Sequence, residues 1–113
     1  IGTHHGQFKS KTKLNWPLIE MLHAKISTPM VIHGGTGVDE DDYHRLTNNG
    51  FRKFNVGTEL LVNWTRVAKE MFGKTEVNSS LRNNILPCNT AVYNIVRHKR
   101  ELFMNVENQS VVS

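Results

Sequence analysis

His5 and His33 each stand directly before a glycine and close a short stretch of strand-like residues, Ile1-Gly2-Thr3 for the first and Pro29-Met30-Val31-Ile32 for the second. A histidine in that place carries its imidazole to the end of a strand. Two such rings on neighbouring strands can take adjacent corners of a tetrahedral zinc site, although a catalytic zinc is normally held by three protein ligands. Successive residues of an extended chain point to opposite sides, so if His5 faces the metal, His4 faces away. His23, His44 and His98 fall on polar faces of helical patterns and are assigned no role in a site.

The residues after the second histidine, Gly34-Gly35-Thr36-Gly37, are small enough for backbone N–H groups to approach an anion, and Thr36 adds a hydroxyl donor. Asn55-Val56-Gly57-Thr58 opens a long helical pattern, where a phosphate would meet free N–H groups at the positive end of the helix dipole. Each glycine turn alone is a weak signal. Side by side at consecutive strand ends, they suggest a phosphate site of the kind that βα barrels form at their last strands.

Positioning these residues requires strands that end at the same rim. Pro29 to His33 and Phe51 to Val56 read as buried strands, and Ile1 to Thr3 as the remnant of a third. Asn15 is a plausible cap for a helix with Pro17 in its first turn and Ile19, Leu22 and Ile26 on one face. Asp39 caps a short acidic helix bearing Tyr43 and Leu46, stopped at Asn49-Gly50. Thr58 is read as the cap of a longer helix with an apolar stripe of Leu60, Leu61, Trp64, Val67, Ala68, Met71 and Phe72. A polar loop from 74 to 80 and a last helix beginning after Pro87 complete the order. Strands alternating with helices imply parallel pairing and right-handed crossovers. The expected fold is thus α/β, and the distances between the strand-end motifs suit βα units of an eight-fold barrel. Residues 1–73 would supply barrel units and 74–113 a C-terminal loop and helix. These units cannot close a barrel, so the remaining strands are expected upstream, in agreement with a chain that opens on Ile1.

The 113 residues carry a net charge of +4 with 38% hydrophobic content, and the pI is near 9.5. This composition suits one globular domain. The basic residues do not form a continuous stripe interleaved with aromatics, so nucleic acid is not the expected partner. Anionic small substrates are the other partner that the charge suits, and the basic cluster at 97–100 reads as a solvated helix face. The lone Cys88 cannot form an internal disulfide, and neither a leader nor a run of ~18 apolar residues is present, so no membrane association and a cytoplasmic location are expected.

Three runs carry a more specific resemblance: Gly-Thr-x-His-Gly-x-Phe-Lys at 2–9, Val-Ile-His-Gly-Gly-Thr-Gly-Val at 31–38 and Lys-x-Asn-Val-x-Thr-Glu at 53–59. They resemble the signatures of strands six, seven and eight in class II fructose-bisphosphate aldolases and their tagatose-bisphosphate relatives. The resemblance implies a TIM (β/α)8 barrel and zinc-dependent aldol cleavage of a ketose 1,6-bisphosphate to dihydroxyacetone phosphate and glyceraldehyde 3-phosphate. It makes His5 and His33 zinc ligands and Gly6, Gly34, Thr36 and Thr58 phosphate-binding positions, and Gly35, Val56 and Gly57 of the same turns are counted with them as substrate-binding. Lys9 falls in the adjoining loop, and Asn55 matches an asparagine that holds the triose. It also implies a monovalent cation, Na+ or K+, beside the phosphate, and a dimer or tetramer. The third zinc histidine and the catalytic aspartate would lie upstream, so this chain alone is expected to be inactive. Arg82 is the candidate remnant of a distal-phosphate arginine, because Ser80-Leu81-Arg82 and Pro87-Cys88-Asn89 replace the family's Asp-Pro-Arg and Pro-Gly elements. The loop His33-Gly34-Gly35-Thr36 resembles the fructose-type pattern more than the His-Gly-Ala-Ser of tagatose-type enzymes. The alternatives are a tagatose-bisphosphate or related ketose-bisphosphate aldolase, a different zinc barrel, such as a hydrolase, or a non-catalytic structural unit.

Overall fold

The computed structural model describes residues 1–5, 12–76 and 80–104. Helix α1 (Trp16–Lys25) begins where the Asn15 carboxamide oxygen accepts the Leu18 N–H at 3.1 Å, with Pro17 in the first turn. The N–H of Asn15 itself donates to the Ile1 carbonyl at 2.9 Å, which fixes the start of α1 against the first residue. On the inner side Ile19 is fully buried, and Ile26 ends the helix in extended conformation.

Strand β1 (Met30–Ile32) pairs in parallel with β2 (Phe51–Phe54), and α2 (Glu40–Asn48) makes the crossover between them. The register places Val31 opposite Lys53 and Ile32 opposite Phe54, with an irregularity between Met30 and Val31. Asp39 caps α2 through its carboxylate, and Glu40, Asp41 and Asp42 fill the first turn, where negative charge complements the helix dipole. Leu14, Ile19, Ile32, Val38, Tyr43, Leu46 and Phe51 form the core beneath this unit. Phe54, Tyr43 and Phe103 close it in an aromatic cluster, with the Phe54 and Phe103 rings stacked at 4.6 Å.

Helix α3 (Thr58–Gly73) packs chiefly on α4 (Leu81–Phe103). Trp64 Nε1 donates to Asn89 Oδ1 at 3.1 Å, and the Thr75 hydroxyl meets Asn84 Oδ1 at 2.8 Å. The apolar stripe of α3 is covered only in part. Ala68 is buried, yet Leu61 is 68% exposed and Phe72 also faces outward.

Three expectations change. Thr58 is the first helical residue and Gly57 the cap, without a side-chain cap bond, because Thr58 already has helical backbone geometry. Ile1 to Thr3 forms no strand among the described residues, since the Ile1 carbonyl is engaged by Asn15 and not by a sheet neighbour. The last helix starts at Leu81 instead of after Pro87, and Pro87 lies inside it. Proline in a helix interior forfeits one backbone bond and costs about 3 kcal/mol. Here contacts on both sides of Pro87 hold the helix together: Asn84 and Cys88 are buried one turn apart, and the Cys88 thiol bonds the Asn84 carbonyl at 3.2 Å.

Candidate active-site cleft

His33 directly follows β1, and the chain then turns through Gly34, whose φ of 70° is left-handed, into the short 3-10 turn Gly35–Gly37. Gly34 must be glycine for a second reason. A Cβ there would lie 2.0 Å from the carbonyl oxygen of His4, so the His4 main chain rests directly on it. This close approach brings the N-terminal segment to the end of β1. His5 and His33 consequently face one another with ring centres 5.8 Å apart and the planes at 67°.

The loop after β1 and the segment after β2 are joined by backbone bonds. Asn55 N–H continues the ladder by donating to the Ile32 carbonyl at 2.8 Å, and Gly35 N–H donates to the Asn55 carbonyl at 3.0 Å. A Cβ on Gly35 would sit 2.9 Å from that carbonyl. Behind the loop, the buried Tyr43 hydroxyl donates to the Gly35 carbonyl at 2.7 Å. Burial, reinforced by the nearby carboxylates of Glu59 and Glu40, drives the phenol well above its ordinary pKa, so it remains a neutral donor. Tyr43→Phe is therefore expected to destabilise the protein by about 0.5–1.5 kcal/mol, since the Gly35 carbonyl loses one of two donors and keeps the Val38 N–H at 3.1 Å. Urea denaturation of the two proteins measures the difference, and equal midpoints would refute the structural role given to this bond.

The cleft these loops enclose has a volume of about 490 Å³ and is lined by His5, Gly34, Thr36, Phe54, Asn55, Val56, Gly57 and Thr58. Thr36 Oγ1 accepts the N–H of Glu59, in the first turn of α3, at 3.3 Å, which leaves its hydroxyl proton to donate elsewhere. Thr58 begins α3, where backbone N–H groups lack intrahelical partners. The Asn55 carboxamide nitrogen lies 3.3 Å from His33 Nδ1. A metal on Nδ1 would displace that contact, whereas a metal on Nε2 would need the carboxamide turned so that its oxygen accepts Nδ1–H.

Most residues singled out from the sequence thus meet at one cleft. Gly35 lies beneath it with its N–H already engaged, so it shapes the loop without offering a donor. Gly6 and Lys9 lie outside the described residues. Arg82 is exposed on the first turn of α4 and does not line the cleft. Sequence reading missed two supporting contacts, the Tyr43 bond to Gly35 and the ion pair between Lys99 and Glu59 at 3.1 Å. A tyrosine on the core face of a helix was the available signal for the first, since buried phenols usually find a partner.

Two imidazoles on one tetrahedral zinc, at ~2.0–2.1 Å, place their ring centres roughly 5 Å apart. The observed 5.8 Å therefore fits shared ligation with a small adjustment. Among the described residues no group of three histidine, cysteine or acidic side chains surrounds a common point, so a zinc site with three protein ligands would need a donor from outside them.

Residues 1–108 match the family described as Fructose-bisphosphate aldolase class-II. The 6-phospho-5-dehydro-2-deoxy-D-gluconate aldolase of Bacillus subtilis (strain 168) is 28% identical over 103 residues, covering 91% of this chain and 36% of its own length. The enzyme of the same name from Bacillus licheniformis is 28% identical over the same span, which is 35% of its length. The crystal structure of the YdjI aldolase from Escherichia coli K12 superposes with a TM-score of 0.76 at 26% identity, over 91% of this chain and 37% of that one. The chain spans a little over a third of the length of these relatives. It belongs to the class II fructose-bisphosphate aldolase family.

Proposed function

We propose that the full-length protein containing this chain is a zinc-dependent aldolase that reversibly cleaves a phosphorylated ketose to release dihydroxyacetone phosphate. The observation that carries the reading is the cleft that His5 shares with Thr36 and Thr58, with the His33 ring 5.8 Å from that of His5. The candidate metal ligands and the candidate anion donors would there meet the two ends of one triose phosphate. The parallel β1–α2–β2 unit is read as belonging to the last strands of a (β/α)8 barrel, whose active sites lie where strands run into the following loops. The partly exposed stripe of α3 and half-exposed Val31 suit a unit that packs on further strands and helices.

Zinc, when bound, would polarise the ketone and stabilise negative charge as the carbon–carbon bond opens. His5 and His33 would hold it, with a third ligand from the upstream part. Thr36 and Thr58, with the N–H groups at the start of α3, would grip the phosphate and fix the ketone relative to the metal. Asn55, placed between His33 and the grip, would bind the triose hydroxyl. A Na+ or K+ ion beside the phosphate would draw on carbonyls around Gly6 and Gly34. The general base would be an upstream aspartate, so the 113-residue chain alone would lack turnover. A cytoplasmic dimer or tetramer is the expected setting, and no described helix is long and apolar enough to cross a membrane.

Fructose 1,6-bisphosphate is the substrate to which the Gly34-Gly35-Thr36 loop points. The Bacillus relatives are named for 6-phospho-5-dehydro-2-deoxy-D-gluconate. Both compounds carry a ketone beside a phosphorylated carbon, and the half released as dihydroxyacetone phosphate is common to them. They differ at the far end, where one has a second phosphate and the other a carboxylate. Arg82, away from the cleft, leaves that end to residues upstream.

The phosphate grip is tested by binding dihydroxyacetone phosphate to the zinc-loaded full-length protein. Thr36→Ala is expected to weaken it about tenfold, or ~1.4 kcal/mol, with zinc content unchanged. Affinity equal to wild type would remove Thr36 from the site.

A further inference from the structure

Behind the glycine loop lies a second cavity of about 320 Å³, lined in part by Asp39, Glu40, Glu59 and Lys99. Its acidic groups sit on the far side of the same loop that borders the cleft, and Glu59 adjoins Thr58 at the end of α3 where an anion would bind. Negative charge at a helix N-terminus stabilises the helix, but it also occupies the field that would attract a phosphate. The Glu40 carboxylate is met by His98 at 2.8 Å. Glu59 Oε2 is sealed from solvent and makes no well-directed hydrogen bond, so the Lys99 ammonium at 3.1 Å is what balances its charge. Lys99 is only 7% exposed and also lies 5.3 Å from the centre of the Tyr43 ring, whose hydroxyl holds the Gly35 carbonyl.

We propose that Lys99, reaching from α4, is a positioning residue for the anion cleft: by neutralising Glu59 it keeps the N-terminal end of α3 attractive to the substrate phosphate. This rests on the reading of the cleft as a triose-phosphate site. An ion pair serving only to tie α4 to α3 would have a different signature, because breaking it from either side would then be equally harmful. With charge compensation the two sides act in opposite directions. Losing Lys99 leaves a bare carboxylate beside the phosphate, whereas losing the charge of Glu59 leaves a buried cation there.

The experiment measures calorimetric binding of dihydroxyacetone phosphate, together with kcat and KM, for the zinc-loaded full-length protein and three variants. Lys99→Met is expected to weaken binding and raise KM about tenfold with kcat within about twofold, Glu59→Gln to bind at least as tightly as wild type, and the double variant to recover to within about threefold. Should Lys99→Met fail to fold, Glu59→Gln decides alone, since it keeps the cation. Weaker binding by Glu59→Gln, or wild-type affinity in Lys99→Met, overturns the proposal and leaves the phosphate reading intact. Absence of binding by the wild-type protein removes both.

Discussion

Replacing either His5 or His33 by alanine in the full-length protein is expected to abolish tight zinc binding and lower turnover by at least about a thousandfold, while His4→Ala keeps the metal near one equivalent. A catalytic zinc site has three protein ligands, so removing one leaves too few donors to hold the ion at its working concentration. The geometry separates the adjacent histidines. His5 lines the cleft and faces the His33 ring at 5.8 Å, whereas the His4 main chain lies against Gly34. Metal analysis of the purified variants, followed by retro-aldol assays with excess zinc, distinguishes loss of the ion from loss of fold. A zinc-free His4→Ala protein beside a zinc-replete His5→Ala protein would reverse the assignment.

Where structure was set by neighbours in sequence, it was legible. Asn15 and Asp39 announce the starts of α1 and α2 through cap bonds that span at most three residues. β1 follows from a short apolar run, β2 from Phe51 and Phe54 on either side of a charged pair, and His33 and the glycine turn from the end of the first. Features that depend on distant partners were not legible. Pro87 signals a helix start, but packing around Asn84 and Cys88 carries α4 through it. Ile1 to Thr3 has strand-like composition, yet a strand exists only where a neighbour pairs with it, and here Asn15 takes the first carbonyl. In the site, the His-Gly context brought out His5 and His33. The supports behind them, Tyr43 on Gly35 and Lys99 on Glu59, join residues on separate elements, and no local pattern marks either pair.

Gly34→Ala is expected to cost the protein roughly 2–4 kcal/mol of stability and most of its zinc affinity, although alanine adds only one methyl group. Two penalties combine. The left-handed φ of 70° costs a residue with a Cβ about 1–2 kcal/mol. The added carbon would also lie 2.0 Å from the His4 carbonyl oxygen and 2.5 Å from its carbon, an overlap that side-chain rotation cannot relieve because the atoms are backbone. The N-terminal segment must then lift from the loop, and His5, the next residue, moves with it away from His33. Metal affinity should therefore fall even though no ligand has been replaced. Gly57→Ala, at another glycine lining the same cleft, is the control. A Cβ there meets nothing within 4 Å, and its φ of −136° is open to any residue, so folding and zinc content should stay near wild type. Denaturation midpoints and zinc titrations on the two variants check both halves of the argument. A Gly34→Ala protein that retains full stability and one equivalent of tightly bound zinc would mean that the packing of His4 on Gly34 does not position His5.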